Sequence, residues 1–118
     1  RTGYHDYEGP SVDEDEQARL AAALGPHNVL ILRNHGLLTC GRSAAEAFFL
    51  MQRLETACRI QVAAVAAGPP RLPSAESQTR TIAMFSAVNA REGVPVDGAM
   101  EWESHLRVLE QTDPSYKE

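Results

Sequence analysis

The chain has 118 residues, 43% of them hydrophobic, with 11 Lys plus Arg against 16 Asp plus Glu, four His and two Cys, a size for one domain that can bury on the order of two thirds of its unfolded surface without a disulfide or structural metal. A formal charge of −5 argues against nucleic acid as the partner, because the non-specific part of that affinity comes from clustered Lys and Arg. The longest strongly apolar run, Val29 to Leu32, is far short of the ~20 residues that span a bilayer, and no charged-then-apolar leader opens the chain, so the expected protein is soluble, cytoplasmic and without a membrane span.

Residues Arg1 to Pro10 carry too little apolar periodicity for an element and read as a loop with at most a short extended piece. Opening at Arg1 and reaching a Tyr- and Pro-containing segment at once, the chain is expected to be a fragment that enters a fold already under way. A helix follows. Ser11 and Glu14 form a capping box, Asp13 to Glu16 place negative charge at an electropositive helix start, and Leu20 and Leu24 repeat before Gly25-Pro26 ends it. The helix terminus accounts for the acidic run, which is given no functional weight.

Val29 to Leu32 is a short, partly β-branched run bounded by Pro26 and by Asn34, His35 and Gly36, as in a strand buried on both faces. Leu37 to Cys40 resumes it as a second strand beyond the polar corner. From Ser43, which makes a second capping box with Glu46, the period changes. Ala47, Leu50, Met51, Leu54, Ala57, Cys58, Val62 and Val65 recur at three- and four-residue steps, a long amphipathic helix ended by Gly68, Pro69 and Pro70. Pro69 to Pro73 is a linker. A third helix is expected over Glu76 to Ala90 with Ile82, Phe85 and Val88 along one side, then a loop at Val94 to Gly98. A terminal helix over Met100 to Gln111 turns Trp102, Leu106 and Leu109 inward, and Asp113 to Glu118 is a polar tail. Cys40 and Cys58 lack zinc-motif spacing and read as buried thiols.

Among residues that could carry chemistry, His35 stands out, because an apolar strand delivers it to a glycine-closed corner at a strand end, where ligands often sit in α/β sheets. A turn or hydrogen-bonding role fits it equally well. Catalytic zinc normally takes three protein ligands, and His5, His27 and His105 share no ligand spacing with His35. The Tyr4-His5-Asp6-Tyr7 cluster has two readings: a catalytic loop, with a Tyr donating a proton and Asp6 orienting His5, or a surface loop packed on one side and wet on the other. Trp102 reads as a packing anchor. The sequence has no glycine-rich phosphate loop, Cys-x-x-Cys, His-Glu-x-x-His or nucleophile elbow.

Leu24-Gly25-Pro26, Val29 through Leu37 with its Asn34-His35-Gly36 corner, Gly41, Ala45 to Phe48 and Ala57 to Gln61 together resemble the class II aldolase/adducin family. The Tyr4 to Tyr7 segment resembles its adducin-like branch. The likeness is good over Tyr4 to Gly68 and weaker over Glu101 to Asp113. It implies an α/β fold, a three-layer α/β/α class II aldolase-like domain of which residues 1–118 form the C-terminal part: a loop at 1–10, helix-strand-strand-helix over 11–68 and a helical tail at 74–118.

The resemblance further implies enzyme relatives that bind zinc or another divalent metal and cleave, epimerise or dehydrate small sugar-phosphate-like substrates through an enediolate. It places the third metal ligand at His35 and, in some members, a proton-donating Tyr supplied across a subunit boundary, to which Tyr4 is the nearest match. The family's His-x-His pair, catalytic Glu and phosphate-holding segments have no counterpart in the 118 residues, so this chain alone is expected to bind no metal and to be inactive. A homo-oligomer, tetrameric by resemblance, is expected. The alternative is a non-catalytic adducin-like binding or oligomerisation module.

Overall fold

The apolar run at Val29 organises the molecule. In the computed structural model, which describes residues 2–9, 14–92 and 97–117, this run is β2 (Val29–Leu32), the centre of a three-stranded sheet between β1 (Gly3–His5) and β3 (Gly36–Thr39). β1 runs parallel to β2, with Gly3 opposite Leu30 and His5 opposite Leu32; β3 runs antiparallel, with Leu32 opposite Gly36. Parallel neighbours need a crossover, and α1 (Glu14–Leu24) lies in it. The opening loop therefore holds a paired strand, three residues long and too short to display a period of two.

The β2–β3 corner is a tight turn in which the His35 N–H donates to the Leu32 carbonyl at 3.1 Å. Asn34, the second central residue of that turn, sits at φ 58°, in the left-handed region that Asn tolerates better than most side chains.

Two contacts place the helices on opposite faces. A Cβ on Gly3 would lie 2.6 Å from the Ala23 carbonyl oxygen and 2.8 Å from Leu30 Cδ1, so α1 presses on the face shared by Gly3 and Leu30 and only glycine fits beneath it. Leu38, opposite Leu30 in the ladder, shares that face, and Thr39 points the other way. The Thr39 hydroxyl donates to the Ala47 carbonyl at 2.9 Å, which brings α2 (Ala44–Ala66) onto the second face. The result is an α/β/α layering with Leu30, 0% exposed, at its centre.

Ser43 caps α2 as expected, its hydroxyl accepting from the Glu46 N–H at 3.2 Å. The reciprocal bond differs from a capping box. The Glu46 carboxylate reaches one residue further back and accepts from the Arg42 N–H at 2.7 Å and from the Arg42 guanidinium at 3.2 Å. The backbone bond first, and the Arg42 side chain second, hold the Glu46 carboxyl below its ordinary pKa. A carboxylate lowered on folding adds stability above its unfolded pKa of about 4.3 and loses it as pH falls through the lower folded value. The Arg42 amide resonance should accordingly show the start of α2 loosening below about pH 4, and Glu46→Gln should abolish that step.

The apolar stripe of α2 is covered only in part. Phe49 is buried beneath Gly98, where φ is 72° and a Cβ would strike the Phe49 Cβ and the Ala45 carbonyl. This close approach, open only to glycine, seats α4 (Ala99–Thr112), and Trp102 meets Phe48 edge-on at 5.6 Å as the expected packing anchor. Further along, Val62 and Val65 are exposed rather than inward, as are Ile60 on the same helix and Ile82 and Met84 on α3 (Ala75–Glu92). Among the described residues α3 packs against no other element. The radius of gyration is 17.4 Å, against about 13.5 Å for a compact chain of this length.

Leu109 of α4 is at the exposed margin, while Trp102 and Leu106 are half-buried. Cys40 is exposed and Cys58 half-buried; the expected burial fails at Cys40 because it follows the last paired residue of β3, where the helical cover ends. The polar tail contains a 3-10 turn, Pro114–Lys117, tied back by a Lys117–Glu110 ion pair at 2.6 Å. The Ser11 cap and the side chains of Phe85 and Val88 lie outside the described residues. No helix among the described residues is long and apolar enough to cross a membrane.

Candidate functional site

Three segments converge beside the sheet: the end of β1, the first turns of α1 and the β2–β3 corner. His5, Tyr7, Glu16, Leu20, Leu32 and His35 line a cavity there of about 10 Å³, room for a single water-sized occupant. A wider open hollow, about 380 Å³ between α2 and α4, is lined by Gln52, Arg53 and Glu101 among others. It contains none of the candidate residues and no convergent set of donors, so the smaller cavity is the chemically distinctive one.

His35 is exposed at the tip of the corner, where its ring stacks on Tyr7 with centroids 5.8 Å apart and planes inclined by 27°. Among the described residues its ring makes no hydrogen bond. An imidazole with both nitrogens uncommitted, at a cavity rim, fits the donor chemistry of a divalent transition metal such as zinc. It is one ligand, and among the described residues no other His, Cys, Asp or Glu completes a metal-ligand group with it.

Tyr4 occupies a different place. It follows Gly3 on β1 and, by strand alternation, turns away from the face that carries His5. Its ring is 55% exposed and lies beneath the Arg33 guanidinium at 5.3 Å. The structure thus brings Tyr7, not Tyr4, to His35. Nor does Asp6 orient His5. Its carboxylate accepts from Arg33 at 2.6 Å instead.

The constellation that sequence reasoning missed is His5 with Glu8 and Glu16. The His5 side chain is 10% exposed and that of Glu16 7%, and Nε2 of His5 stands 3.8 Å from Glu8 Oε1 and 3.8 Å from Glu16 Oε1. Both separations are too long for hydrogen bonds, and the buried Nε2 has no hydrogen-bond partner. Glu8 is held from outside by Arg19, whose Nε and Nη2 meet Oε2 at 2.8 and 2.6 Å. A usable signal was present: Glu16 precedes Leu20 and Leu24 at steps of four, so the apolar stripe of α1, extended one turn back, puts a carboxylate on the buried face.

With this geometry in view, the comparisons with known proteins can be read. Residues 1–62 match the family described as the Class II Aldolase and Adducin N-terminal domain. A Pseudomonas aeruginosa protein named after the class 2 aldolases is 39% identical over 115 residues, which cover 98% of this chain and 44% of that protein. Alpha-adducin of Rattus norvegicus is 50% identical over 72 residues, 58% of this chain and 10% of the adducin. A solved aldolase II superfamily structure from Pseudomonas syringae superimposes with a TM-score of 0.84 at 38% identity, covering 100% of this chain and 46% of that one. The chain therefore spans less than half the length of each of these relatives.

Proposed function

The chain belongs to the class II aldolase and adducin family, and from that premise we propose that the complete protein is a metal-dependent aldolase, epimerase or dehydratase of a small sugar-phosphate-like substrate. The observation that supports this reading is the exposed His35 ring, held by Tyr7 at the cavity rim with its nitrogens uncommitted. His35 contributes one imidazole ligand, and the His-x-His pair and phosphate-binding segments come from outside these 118 residues. A divalent cation, when bound, polarises a substrate carbonyl oxygen.

The hydrogen-bonded turn holds the backbone of His35, and Tyr7 stacks on its ring, so the ligand is oriented from two sides. Tyr4 is the proposed proton donor. Its exposed phenol, on the sheet face away from the cavity, suits action on a neighbouring subunit's site, and Arg33 above the ring orients it. The complete gene product should carry stoichiometric divalent metal and cleave, epimerise or dehydrate ketose or aldose phosphates. Metal-free protein after growth in zinc- and manganese-supplemented medium would contradict the reading.

A second reading, the adducin-like binding or assembly module, is supported by the 50% identity to alpha-adducin over 72 residues and by the uncovered apolar side of α2. Both readings predict self-association, for Val62 and Val65, three residues apart on one side of α2, leave apolar surface in water. Sedimentation should find an oligomer, and the double variant Val62→Glu/Val65→Glu should shift it to a smaller species. A wild-type protein that sediments as a monomer would exclude this role for α2.

A further inference from the structure

We propose that His5, Glu8 and Glu16 form a divalent-cation site of their own, separate from the ligand role of His35. Three observations carry it. The first is the donor set: one imidazole nitrogen and two carboxylate oxygens, all within 4.8 Å of one another. Imidazole with carboxylates suits zinc or manganese better than calcium or magnesium, and three protein ligands leave a position open for water.

The second is the spacing. Two donors bound at about 2.1 Å to one ion stand roughly 3.0–3.4 Å apart, so the 3.8 Å separations from His5 to each carboxylate close with movements of a few tenths of an ångström, while the two carboxylate oxygens, within 4.8 Å of each other, set the larger adjustment. Glu8, the more exposed ligand with its side chain 35% accessible, has the freedom to make that movement.

The third is the unmet demand of one buried polar atom beside two carboxylates. His5 is nine-tenths buried, its Nε2 is aimed between two carboxylates, and that nitrogen has no hydrogen-bond partner. A buried nitrogen left unpaired costs free energy, as does a carboxylate buried without a close counter-charge. The Glu16 side chain is 7% exposed, and among the described residues its partner is that same His5 at 3.8 Å. One dication between them satisfies both. The cavity that His5 and Glu16 line, with His35 at its rim, holds about one water-sized occupant. An outer shell is in place as well: Arg19 grips Glu8 through Oε2, leaving Oε1 directed at His5. Glu8 lies on the solvent side and gives the ion access.

The test separates this site from the one at His35. The complete gene product carrying His35→Ala is stripped with chelator, checked for its fold by circular dichroism, and titrated with Zn²⁺ or Mn²⁺ in equilibrium dialysis, with Mn²⁺ also followed by electron paramagnetic resonance. The expected result is one ion per chain in the His35→Ala protein, bound at least about tenfold more weakly when Glu16→Gln is added. Binding should also raise the melting temperature of the His35→Ala protein. If Glu16→Gln fails to fold, Glu8→Gln on the solvent side serves in its place with the same expectation. No ion in the His35→Ala protein, or an ion indifferent to Glu16→Gln or its Glu8→Gln substitute, would overturn the proposal. Loss of metal on Glu16→Gln with none on His35→Ala would instead count against the His35 reading and leave this one standing.

Discussion

Replacing His35 with Ala in the complete gene product should weaken its catalytic metal by about a hundredfold or more and remove turnover with it. Even residues that only orient a metal ligand cost 10–100-fold in affinity when removed, so loss of a ligand should sit at or beyond the upper end of that range. The melting temperature of the metal-free protein should hardly move, because the ring is exposed and its one described contact is the stack on Tyr7. That pairing of a large functional loss with an unchanged fold separates a ligand from a packing residue. His35→Gln, which keeps polarity and bulk but offers no imidazole, should behave like Ala. Metal content by mass spectrometry and thermal denaturation of the stripped protein read the two quantities independently.

Leu30→Ala should produce the largest loss of stability of any single truncation in the sheet. Leu30 is fully buried, while Phe49 is the one other buried hydrophobic residue among those described. Leu-to-Ala changes in cores cost about 2–5 kcal/mol, a large part of the roughly 5–15 kcal/mol that holds a domain together. The site offers little room to collapse into the gap, since the Leu30 side chain already reaches the space above Gly3 and beneath Ala23. Because β1 is only three residues long and among the described residues pairs with β2 alone, its detachment should be the first consequence, and it would take His5 away from Glu16. Urea denaturation should show a midpoint far below wild type. A shift equivalent to under about 1 kcal/mol would mean that Leu30 is not the keystone its burial indicates.

Much of this was legible in the sequence, for local reasons. Ser43 announced the start of α2 through its hydroxyl and the change to helical period. Gly68-Pro69-Pro70 announced its end, and the Val29 to Leu32 run could be little other than a strand. Family resemblance supplied the layering, which those patterns could not. The structure adds what only long-range packing decides. β1 is a strand because β2 offers it a ladder, not because Gly3-Tyr4-His5 has strand character. Periodicity shows which side of α2 is apolar but not how far a cover extends along it, and among the described residues that cover stops near Phe49, short of Val62 and Val65. Glu16 was hidden by a sufficient local explanation. An acidic residue at a helix start needs no further reason until the fold shows that this one faces inward. Tyr7 and Tyr4 differ by three residues in a polar segment, and only the course of the chain after β1 decides which of them reaches His35.

The account turns on His35 as a metal ligand. Crystals of the complete protein grown with zinc or manganese, measured on both sides of the metal absorption edge, test it most directly. The account predicts an anomalous peak about 2.0–2.2 Å from a ring nitrogen of His35, with the ring still stacked on Tyr7. Metal-replete crystals in which no peak lies within bonding distance of that ring would contradict it.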